Sequence, residues 1–173
     1  MAMTATVLTV ERARAMAATV TDPEMPMLTL VDLGVLRDVE QAADGAIVVT
    51  ITPTYSGCPA MAAMRFDLQR ALSQAGFSEV DIRTRLAPAW SSDWISAEGR
   101  RKLEDHGIAP PLAAPAPSAG PVPLTLTAYR PMVQCPRCDS FDTQQTSRFG
   151  STACKSLHRC ITCGEPFDRI KEL

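Results

Sequence analysis

Two stretches of the chain carry hydrophobic patterns that predict regular structure, and a proline-rich stretch separates them. Within residues 35–86, apolar residues first alternate with polar ones, then recur every three to four positions, and then alternate again. Alternation is typical of strands, and the 3.6-residue period is typical of amphipathic helices. We therefore predict strands over residues 35–41 and 46–52, a helix over 59–75 and a third strand over 80–86.

Turn and cap residues complete the order of elements in this first region. Ala43-Asp44-Gly45 predicts a hairpin turn between the first two strands. A helix over residues 9–18 precedes them, and a last helix ends near Gly107. The third strand should lie parallel to the strand before the middle helix, because that helix forms a crossover. The sequence thus predicts an α+β fold with a small α-β-β-α-β-α domain and a three-stranded mixed sheet. The buried face of its third strand should carry Val80, Ile82, Thr84 and Leu86.

The composition changes between Pro110 and Pro123, where six prolines alternate with alanine, serine and glycine. Such a segment cannot build a core and is typical of a semi-extended tether. We therefore predict an α/β domain over residues 1–108, a linker over 109–124 and a second, metal-stabilised domain over 125–173.

Composition and charge exclude some classes of partner. The chain has 173 residues and a net charge of −2, so it has no global attraction to nucleic acid or to an anionic membrane. No apolar run approaches the roughly 20 residues that span a bilayer. No secretory signal precedes the first helix, and the paired cysteines favour metal binding over disulfides. These observations predict a cytoplasmic protein without nucleic-acid or membrane partners.

Four of the six cysteines have the spacing of a zinc ribbon. Two Cys-x-x-Cys pairs are separated by twenty-one residues, and their members are Cys135, Cys138, Cys160 and Cys163. Two residues between ligands let one tight turn direct both thiolates at one ion, and two such turns complete a tetrahedral shell. All four positions are then filled, which predicts a structural zinc. An iron–sulfur cluster on the same thiolates and a pair of redox dithiols are the alternatives. Cys154 is interpreted as a small core residue or a spare thiol near the metal, and His158 as a surface or strand residue rather than a ligand.

Cys58 lies between the second predicted strand and the middle predicted helix. Pro59 suits the first position of a helix, and Gly57 would allow a sharp turn just before it. A thiol beside a helix N-terminus is drawn toward the thiolate, which is the form that attacks and binds metal. A small buried cysteine that closes a tight turn is the competing interpretation.

The ordered set of motifs resembles one known family. The first region resembles the domain of SufT-type iron–sulfur assembly factors, and the whole set is similar to the PaaD family, the D subunits of phenylacetyl-CoA 1,2-epoxidases. The matching motifs are Asp22-Pro23-Glu24-Met25-Pro26, Asp32-Leu33-Gly34, Thr52-Pro53-Thr54, Gly57-Cys58-Pro59, Pro88-Ala89-Trp90-Ser91-Ser92-Asp93-Trp94 and the two cysteine pairs with their flanking residues.

This resemblance implies an accessory role in aerobic phenylacetate catabolism, in assembly or repair of the metal centres of a multicomponent oxygenase. It implies a structural zinc and a transient iron or iron–sulfur cluster at Cys58, supported by Asp22, Glu24, Thr52 and Gly57. The expected partners are other epoxidase subunits or iron–sulfur assembly proteins, and a homodimer is compatible with the sequence. The chain also lacks the Glu-x-x-His pairs of di-iron bundles and the glycine-rich fingerprint of dinucleotide-binding reductases.

Two other functions stay open on the sequence alone. The chain could be a structural subunit of the oxygenase in which Cys58 is inert. It could also be a thiol enzyme with Cys58 as the nucleophile, although its only histidines, His106 and His158, lie far along the chain and show no pairing motif.

Overall fold

The computed structural model describes residues 8–112 and 132–172 and divides the chain into two compact units, Met1–Lys102 and Leu103–Leu173. Within these ranges each unit contains one sheet, of three strands in the first unit and four in the second. None of the helices in the described ranges has the length and apolar character needed to cross a bilayer. Most of the predicted linker, residues 113–124, lies outside the described residues. The cytoplasmic location stays a prediction.

The first unit has the predicted order of elements. β1 pairs antiparallel with β2, and β2 pairs parallel with β3, so the three-stranded mixed sheet is confirmed. The last helix begins in this unit and continues into the second. The elements are α1 (Val10–Ala17), β1 (Leu36–Gln41), β2 (Ile47–Ile51), α2 (Met61–Gln74), β3 (Val80–Thr84), a 3₁₀ turn (Ser92–Trp94) and α3 (Ala97–Asp105).

The core of the first unit forms where the helices cover the central strand. β2 is buried at all five positions, and α2 buries three residues spaced four apart, Met64, Leu68 and Leu72. Burying each of these side chains contributes about 2 kcal/mol. The Thr9 hydroxyl caps α1 by accepting the backbone N–H of Arg12 at 3.2 Å. The apolar period thus produces the helices through the surface that it lets them bury.

Two element boundaries differ from the prediction. α2 begins at Met61 rather than Pro59, because the preceding residues form turns in which the Met61 N–H donates to the Cys58 carbonyl at 3.3 Å. β3 ends at Thr84, and of the predicted buried face only Ile82 is buried. Val80 is half-buried, whereas Thr84 and Leu86 are exposed. The last ladder bond runs from the Arg85 N–H to the Ile51 carbonyl at 2.9 Å, after which the chain leaves the sheet.

The described part of the second unit contains a four-stranded sheet in the order β4-β7-β6-β5. Its strands are β4 (Ile108–Ala109), β5 (Thr143–Ser147), β6 (Lys155–Cys160) and β7 (Pro166–Ile170). The sequence predicts ribbon strands over residues 144–149 and 155–159, between the two Cys-x-x-Cys pairs, and β5 and β6 match them. β4 and β7 are not predicted. β4 pairs parallel with β7, so Ile108 and Ala109 belong to the sheet of the second unit. The sequence had placed them at the end of the first domain and the start of the linker, and the remaining domain limits stay a prediction.

Candidate functional site

The two Cys-x-x-Cys turns of the second unit have the same backbone geometry. In each turn, the N–H of the residue after the second cysteine donates to the carbonyl of the first cysteine, at 3.0 Å from Asp139 to Cys135 and at 3.0 Å from Gly164 to Cys160. Both donors have left-handed backbone angles, with φ of 59° at Asp139 and 78° at Gly164. Glycine and aspartate are among the residues that tolerate this conformation best. The repeated Cys-x-x-Cys-[Asp/Gly] pattern was the sequence signal for this pair of residues.

The two turns bring four sulfurs together. The Sγ atoms of Cys135, Cys138, Cys160 and Cys163 all lie within 4.8 Å of one another. The contacts between the turns measure 3.8 Å from Cys135 to Cys163 and 3.6 Å from Cys138 to Cys160. A tetrahedral zinc with Zn–S bonds of about 2.3 Å separates its sulfurs by about 3.8 Å. The four side chains therefore fit one tetrahedral metal ion.

The pKa values of Cys138 and Cys160 shift in opposite directions. The backbone N–H of Cys163 and hydrogen bonds with neighbouring thiols lower the pKa of Cys160 to about 6, against the effect of burial. At Cys138 a backbone hydrogen bond from Ser140 acts to lower the pKa, but burial and the neighbouring thiols together raise it to about 12. Several thiolates close together repel one another, so a metal cation supplies the charge that lets all four ionise, and its binding releases protons.

Few apolar side chains form the buried cluster beside the four sulfurs. Cys135 and Cys160 themselves belong to a buried cluster completed by Ala109, Val133 and Phe167. The two turns also contact each other through polar groups, with Ser140 Oγ 2.7 Å from Thr162 Oγ1. A core this small stabilises a domain weakly, so we expect the metal to supply much of the folding free energy of this unit.

The remaining cysteine and histidine of the second unit have contacts that account for them. Cys154 is buried, and its Sγ lies 3.0 Å from Thr152 Oγ1. The His158 ring stacks on Phe167 with centroids 5.6 Å apart, and its Nε2 lies 3.1 Å from Ser156 Oγ. Burial, followed by the nearby Arg169 charge, lowers the pKa of His158. Cys154 is thus a small core residue, and His158 is a strand residue that is buried rather than at the surface.

Cys58 lies in the loop that carries the chain from the carboxyl end of β2 into α2. Its N–H donates to the Tyr55 carbonyl at 3.2 Å, and its side chain is neither fully buried nor fully exposed. Because β2 and β3 are parallel, the carboxyl end of β3 lies at the same end of the sheet. There the guanidinium of Arg65, from the first half of α2, donates to Thr84 Oγ1 at 3.2 Å. The loop thus occupies the position where open α/β sheets bind ligands.

The four residues expected to support Cys58 have different structural roles. Asp22 is buried, and its Oδ1 accepts the backbone N–H groups of Glu24 and Met25, both at 2.8 Å, so it shapes its own loop. Glu24 is exposed. The buried Thr52 donates its N–H to the Val35 carbonyl at 2.9 Å.

Gly57 has an ordinary backbone conformation. Its φ is not positive, and it lies inside the turn that the hydrogen bond from the Cys58 N–H to the Tyr55 carbonyl closes, so the predicted turn is present without a conformation that favours glycine. An added Cβ there would meet the Tyr55 ring at 3.4 Å, an ordinary contact. The roles of these residues toward Cys58 stay predictions.

Comparison with known proteins places both units. The PaaD zinc β-ribbon domain family matches residues 119–171, and the iron–sulfur cluster assembly protein family matches residues 11–81. A protein of Escherichia coli K12, named as the D subunit of 1,2-phenylacetyl-CoA epoxidase, is 42% identical over 91% of this chain and 89% of its own length. The chain belongs to the PaaD family of phenylacetyl-CoA epoxidase subunits.

Relatives of the first unit alone extend the comparison. An iron–sulfur protein maturation auxiliary factor of Porphyromonas gingivalis W83 is 36% identical over 51% of this chain and 84% of its own length. The crystal structure of a DUF59 domain from Bacillus anthracis covers 54% of this chain and 90% of that domain, with 27% identity and a TM-score of 0.50. The α+β fold class and the ribbon predicted for this PaaD family member are thus confirmed, and an accessory role related to iron–sulfur proteins is supported.

Two motifs of this family hold the first unit together. Trp90 Nε1 donates to the Leu33 carbonyl at 2.9 Å, and the ring of Trp94 lies 3.6 Å from the Arg37 guanidinium carbon. A Cβ on Gly34 would lie 2.5 Å from Trp94 Cβ. The tryptophan motif therefore packs against the Asp32-Leu33-Gly34 segment, and this contact explains both motifs structurally.

Asp32 is the polar centre of the same contact. Its Oδ2 accepts Lys102 Nζ at 2.7 Å and the Thr29 N–H at 2.9 Å, and its carbonyl accepts the Ser96 N–H at 2.9 Å. Burial opposes the charge of this carboxylate, but the hydrogen bond from Lys102 and those with Thr29 outweigh it and lower the pKa of Asp32. The Asp32 carboxylate thus ties α3 to the segment before β1.

Asp32→Asn should destabilise the first unit by about 2 kcal/mol, because an amide NH₂ would face donors in place of a carboxylate oxygen. A lowered pKa contributes stability that is complete above the unfolded value of about 4 and is lost as the pH falls through the folded value. When the pH falls from about 5 to about 3, the free energy of unfolding should therefore decrease less in the variant than in the parent. Urea unfolding followed by tryptophan fluorescence measures this.

Asp67→Asn is the control, because it breaks a pair with Arg70 at the surface of the protein. It should change the free energy of unfolding by less than about 0.5 kcal/mol. An equal effect of the two variants would contradict the role assigned to Asp32.

Proposed function

We propose that this chain assists the assembly or repair of the iron or iron–sulfur centres of a phenylacetyl-CoA epoxidase, and that Cys58 is the thiol that takes the metal in transit. The position of Cys58 carries the proposal. The residue lies within the region that matches the iron–sulfur cluster assembly family, in a partly accessible loop at the carboxyl ends of two parallel strands. The E. coli relative, whose name makes it part of an epoxidase, supports the choice of client.

The chemistry of a single thiol suits transient holding. Thiolates are the ligands that bind iron–sulfur clusters, but a cluster needs about four of them. Cys58 is the one cysteine in the sequence of the first unit, so the client or a second protein supplies the remaining ligands. A cargo held through few ligands can pass to a client that offers more. Thiolate ligands make an iron–sulfur cluster anionic. Arg65, at the same carboxyl end of the sheet, adds a positive charge that would attract it.

The ribbon has a different role in this proposal. Cys135, Cys138, Cys160 and Cys163 would hold a zinc ion with no open coordination position. A closed four-thiolate shell stabilises structure and offers no site for a substrate. The second unit is then a folded module that supports recognition of the client, while the metal transfer takes place at Cys58. The chain does not itself carry out oxygenation in this scheme.

Cys58→Ser should leave the fold intact and impair formation of active epoxidase, because it removes the cargo ligand with little change in volume. The epoxidase components are co-expressed with the parent chain, with the variant or without the chain, and purified anaerobically. Their iron and sulfide content and the epoxidation rate are then measured. We expect the variant to fall to the level seen without the chain. Cys154→Ser is the matched control, since Cys154 lies outside the four-sulfur cluster, and it should behave like the parent.

Two further measurements separate this proposal from its alternatives. Epoxidase components that are already loaded with metal should turn over at the same rate after the chain is removed. A rate that depends on stoichiometric addition of the chain, with unchanged metal content, would instead make it a structural subunit. Alkylation of Cys58 in the folded, metal-loaded protein should be rapid. Alkylation that requires unfolding would identify an inert structural cysteine.

A further inference from the structure

Among the described residues, the sheet of the first unit has one open edge, at β3. β3 bonds to β2 on one side, through contacts such as the Ile47 N–H on the Glu79 carbonyl and the Arg85 N–H on the Ile51 carbonyl, both at 2.9 Å. Since successive residues of a strand point their polar backbone groups to opposite sides, Val80, Ile82 and Thr84 direct theirs away from β2. No other strand of the described residues pairs with this side.

The opposite edge of the same sheet is closed. On β1 the Arg14 guanidinium donates to the outward Val39 carbonyl at 2.8 Å and to Asp38 Oδ1 at 2.9 Å. A charged side chain bound to an outward carbonyl prevents a further strand from pairing there. On β3 the charged side chains of Asp81 and Arg83 pair with each other at 2.7 Å, and they keep 52% and 59% of their surface exposed. Only the β3 edge is therefore both unpaired and accessible within the described part of this unit.

The sequence of β3 is complementary to itself in one antiparallel register. When a two-fold axis passes between Ile82 of one copy and Ile82 of a second copy, Val80 lies opposite Thr84 of the second copy. Asp81 then lies opposite Arg83 of that copy. The three outward residues then form three hydrogen-bonded pairs, which together make six backbone bonds. The two charged positions fall at the closer non-bonded pairs, where opposite charges attract.

Other registers are disfavoured by the same charges. In the first register Glu79 also lies opposite Arg85 of the other copy, so four pairs of opposite charge form. Slipping the antiparallel pair by two residues either way keeps only two such pairs and sets Asp81 against Asp81 or Arg83 against Arg83 of the other copy. Parallel pairing in register juxtaposes like charges at both positions. Like charges directly opposite one another destabilise a strand pair. The edge therefore discriminates against open-ended association and favours one closed arrangement.

We propose that β3 is a self-association surface through which two copies of this chain form a six-stranded mixed sheet, joined by an antiparallel pair of β3 strands. Its occupant is a second copy, because the charge pattern and the outward backbone groups match that partner. A five-residue strand pair buries less surface than a stable dimer, so the dimer dissociates in the range of about 10–100 μM. The carboxyl ends of the two β3 strands point in opposite directions, so the two Cys58 loops lie at opposite ends of the dimer sheet and each acts separately. This surface is independent of the function proposed for Cys58.

Sedimentation equilibrium of the full-length, metal-loaded chain between about 5 and 500 μM tests the proposal. The parent should show a monomer–dimer equilibrium. Asp81→Arg and Arg83→Asp should each weaken it by about tenfold or more, because like charges then oppose each other at both pairs of positions 81 and 83. An equimolar mixture of the two variants should form a heterodimer, and a chain carrying both substitutions should recover the affinity of the parent. Glu40→Arg on β1 changes the net charge as Asp81→Arg does, but at the closed edge, and it should leave dimerisation unchanged.

If a single variant loses stability, the mixture and the double variant still distinguish the loss of strand pairing from the loss of folding. A chain that stays monomeric up to 500 μM would overturn the proposal. A dimer equally sensitive to Glu40→Arg and Asp81→Arg would also overturn it, as would a mixture that fails to associate. Restored association in both the mixture and the double variant would establish pairing between Asp81 of one copy and Arg83 of the other. Metal content and epoxidase maturation are not readouts of this experiment, so its failure leaves the proposed function unaffected.

Discussion

Gly34→Ala should destabilise the first unit by about 3 kcal/mol. Gly34 has a φ of 67°, a conformation that costs a residue with a Cβ about 1 kcal/mol or more. The added Cβ would also lie 2.5 Å from Trp94 Cβ and 2.6 Å from the Trp94 carbonyl oxygen. These neighbours belong to the 3₁₀ turn that the Trp90 hydrogen bond fixes in place, so they cannot move without breaking other contacts. Overpacking of this kind costs a further 1–3 kcal/mol, roughly.

Tryptophan fluorescence isolates this effect, because the only two tryptophans of the chain, Trp90 and Trp94, lie in the first unit. Urea unfolding followed by this signal should shift strongly for Gly34→Ala. Gly45→Ala is the matched control: its φ is 91°, but an added Cβ meets nothing within 4 Å. It should therefore lose only the conformational part, about 1 kcal/mol. Equal losses for the two variants would show that the contact with Trp94 is not rigid.

The comparison of these glycines shows what sequence patterns can and cannot predict about the fold. α1, α2 and the three strands of the first unit were predictable because each follows from a local period and a nearby turn signal. The reason for Gly34 was not predictable, because its neighbour Trp94 is sixty residues away in the chain. β4 was missed because two residues show no period, and its pairing with β7 is also long-range.

The candidate sites differ in the same way. The four ribbon cysteines were recognisable because ligand spacing within each Cys-x-x-Cys turn is a local property, and the structure brings all four sulfurs together. The Cys58 prediction depended on the start of α2, and a shift of two residues in that start moves the helix N-terminus away from the thiol. Asp22 was selected through the family resemblance, but its hydrogen bonds to Glu24 and Met25 serve its own loop. A matching motif therefore indicates membership of the family more directly than it indicates the role of each residue.

Cys160→Ser should unfold the second unit while the first unit stays folded. Cys160 is buried, and its Sγ lies 3.6 Å from that of Cys138, so the change removes an inner ligand from the four-sulfur cluster. Structural zinc contributes about 10–16 kcal/mol to the folding of comparable small domains, and the apolar cluster around Phe167 cannot replace it. We expect the variant to lose about one equivalent of metal and the amide dispersion of residues 132–172, while the tryptophan unfolding curve of the first unit keeps its midpoint.

Cys154→Ser provides the control for this change and makes the experiment decisive about the ligands. Cys154 is also buried and also follows the first Cys-x-x-Cys turn, but its sulfur contacts Thr152 and lies outside the cluster, so metal content should stay at one equivalent. Metal and acid-labile sulfide analysis of the parent identifies the occupant as well. Zinc without sulfide supports the closed structural site, whereas iron with sulfide would place a cluster on the same thiolates. Retention of the metal by Cys160→Ser would contradict the ligand assignment, because a tetrahedral shell of four thiolates cannot lose a buried member and keep its affinity.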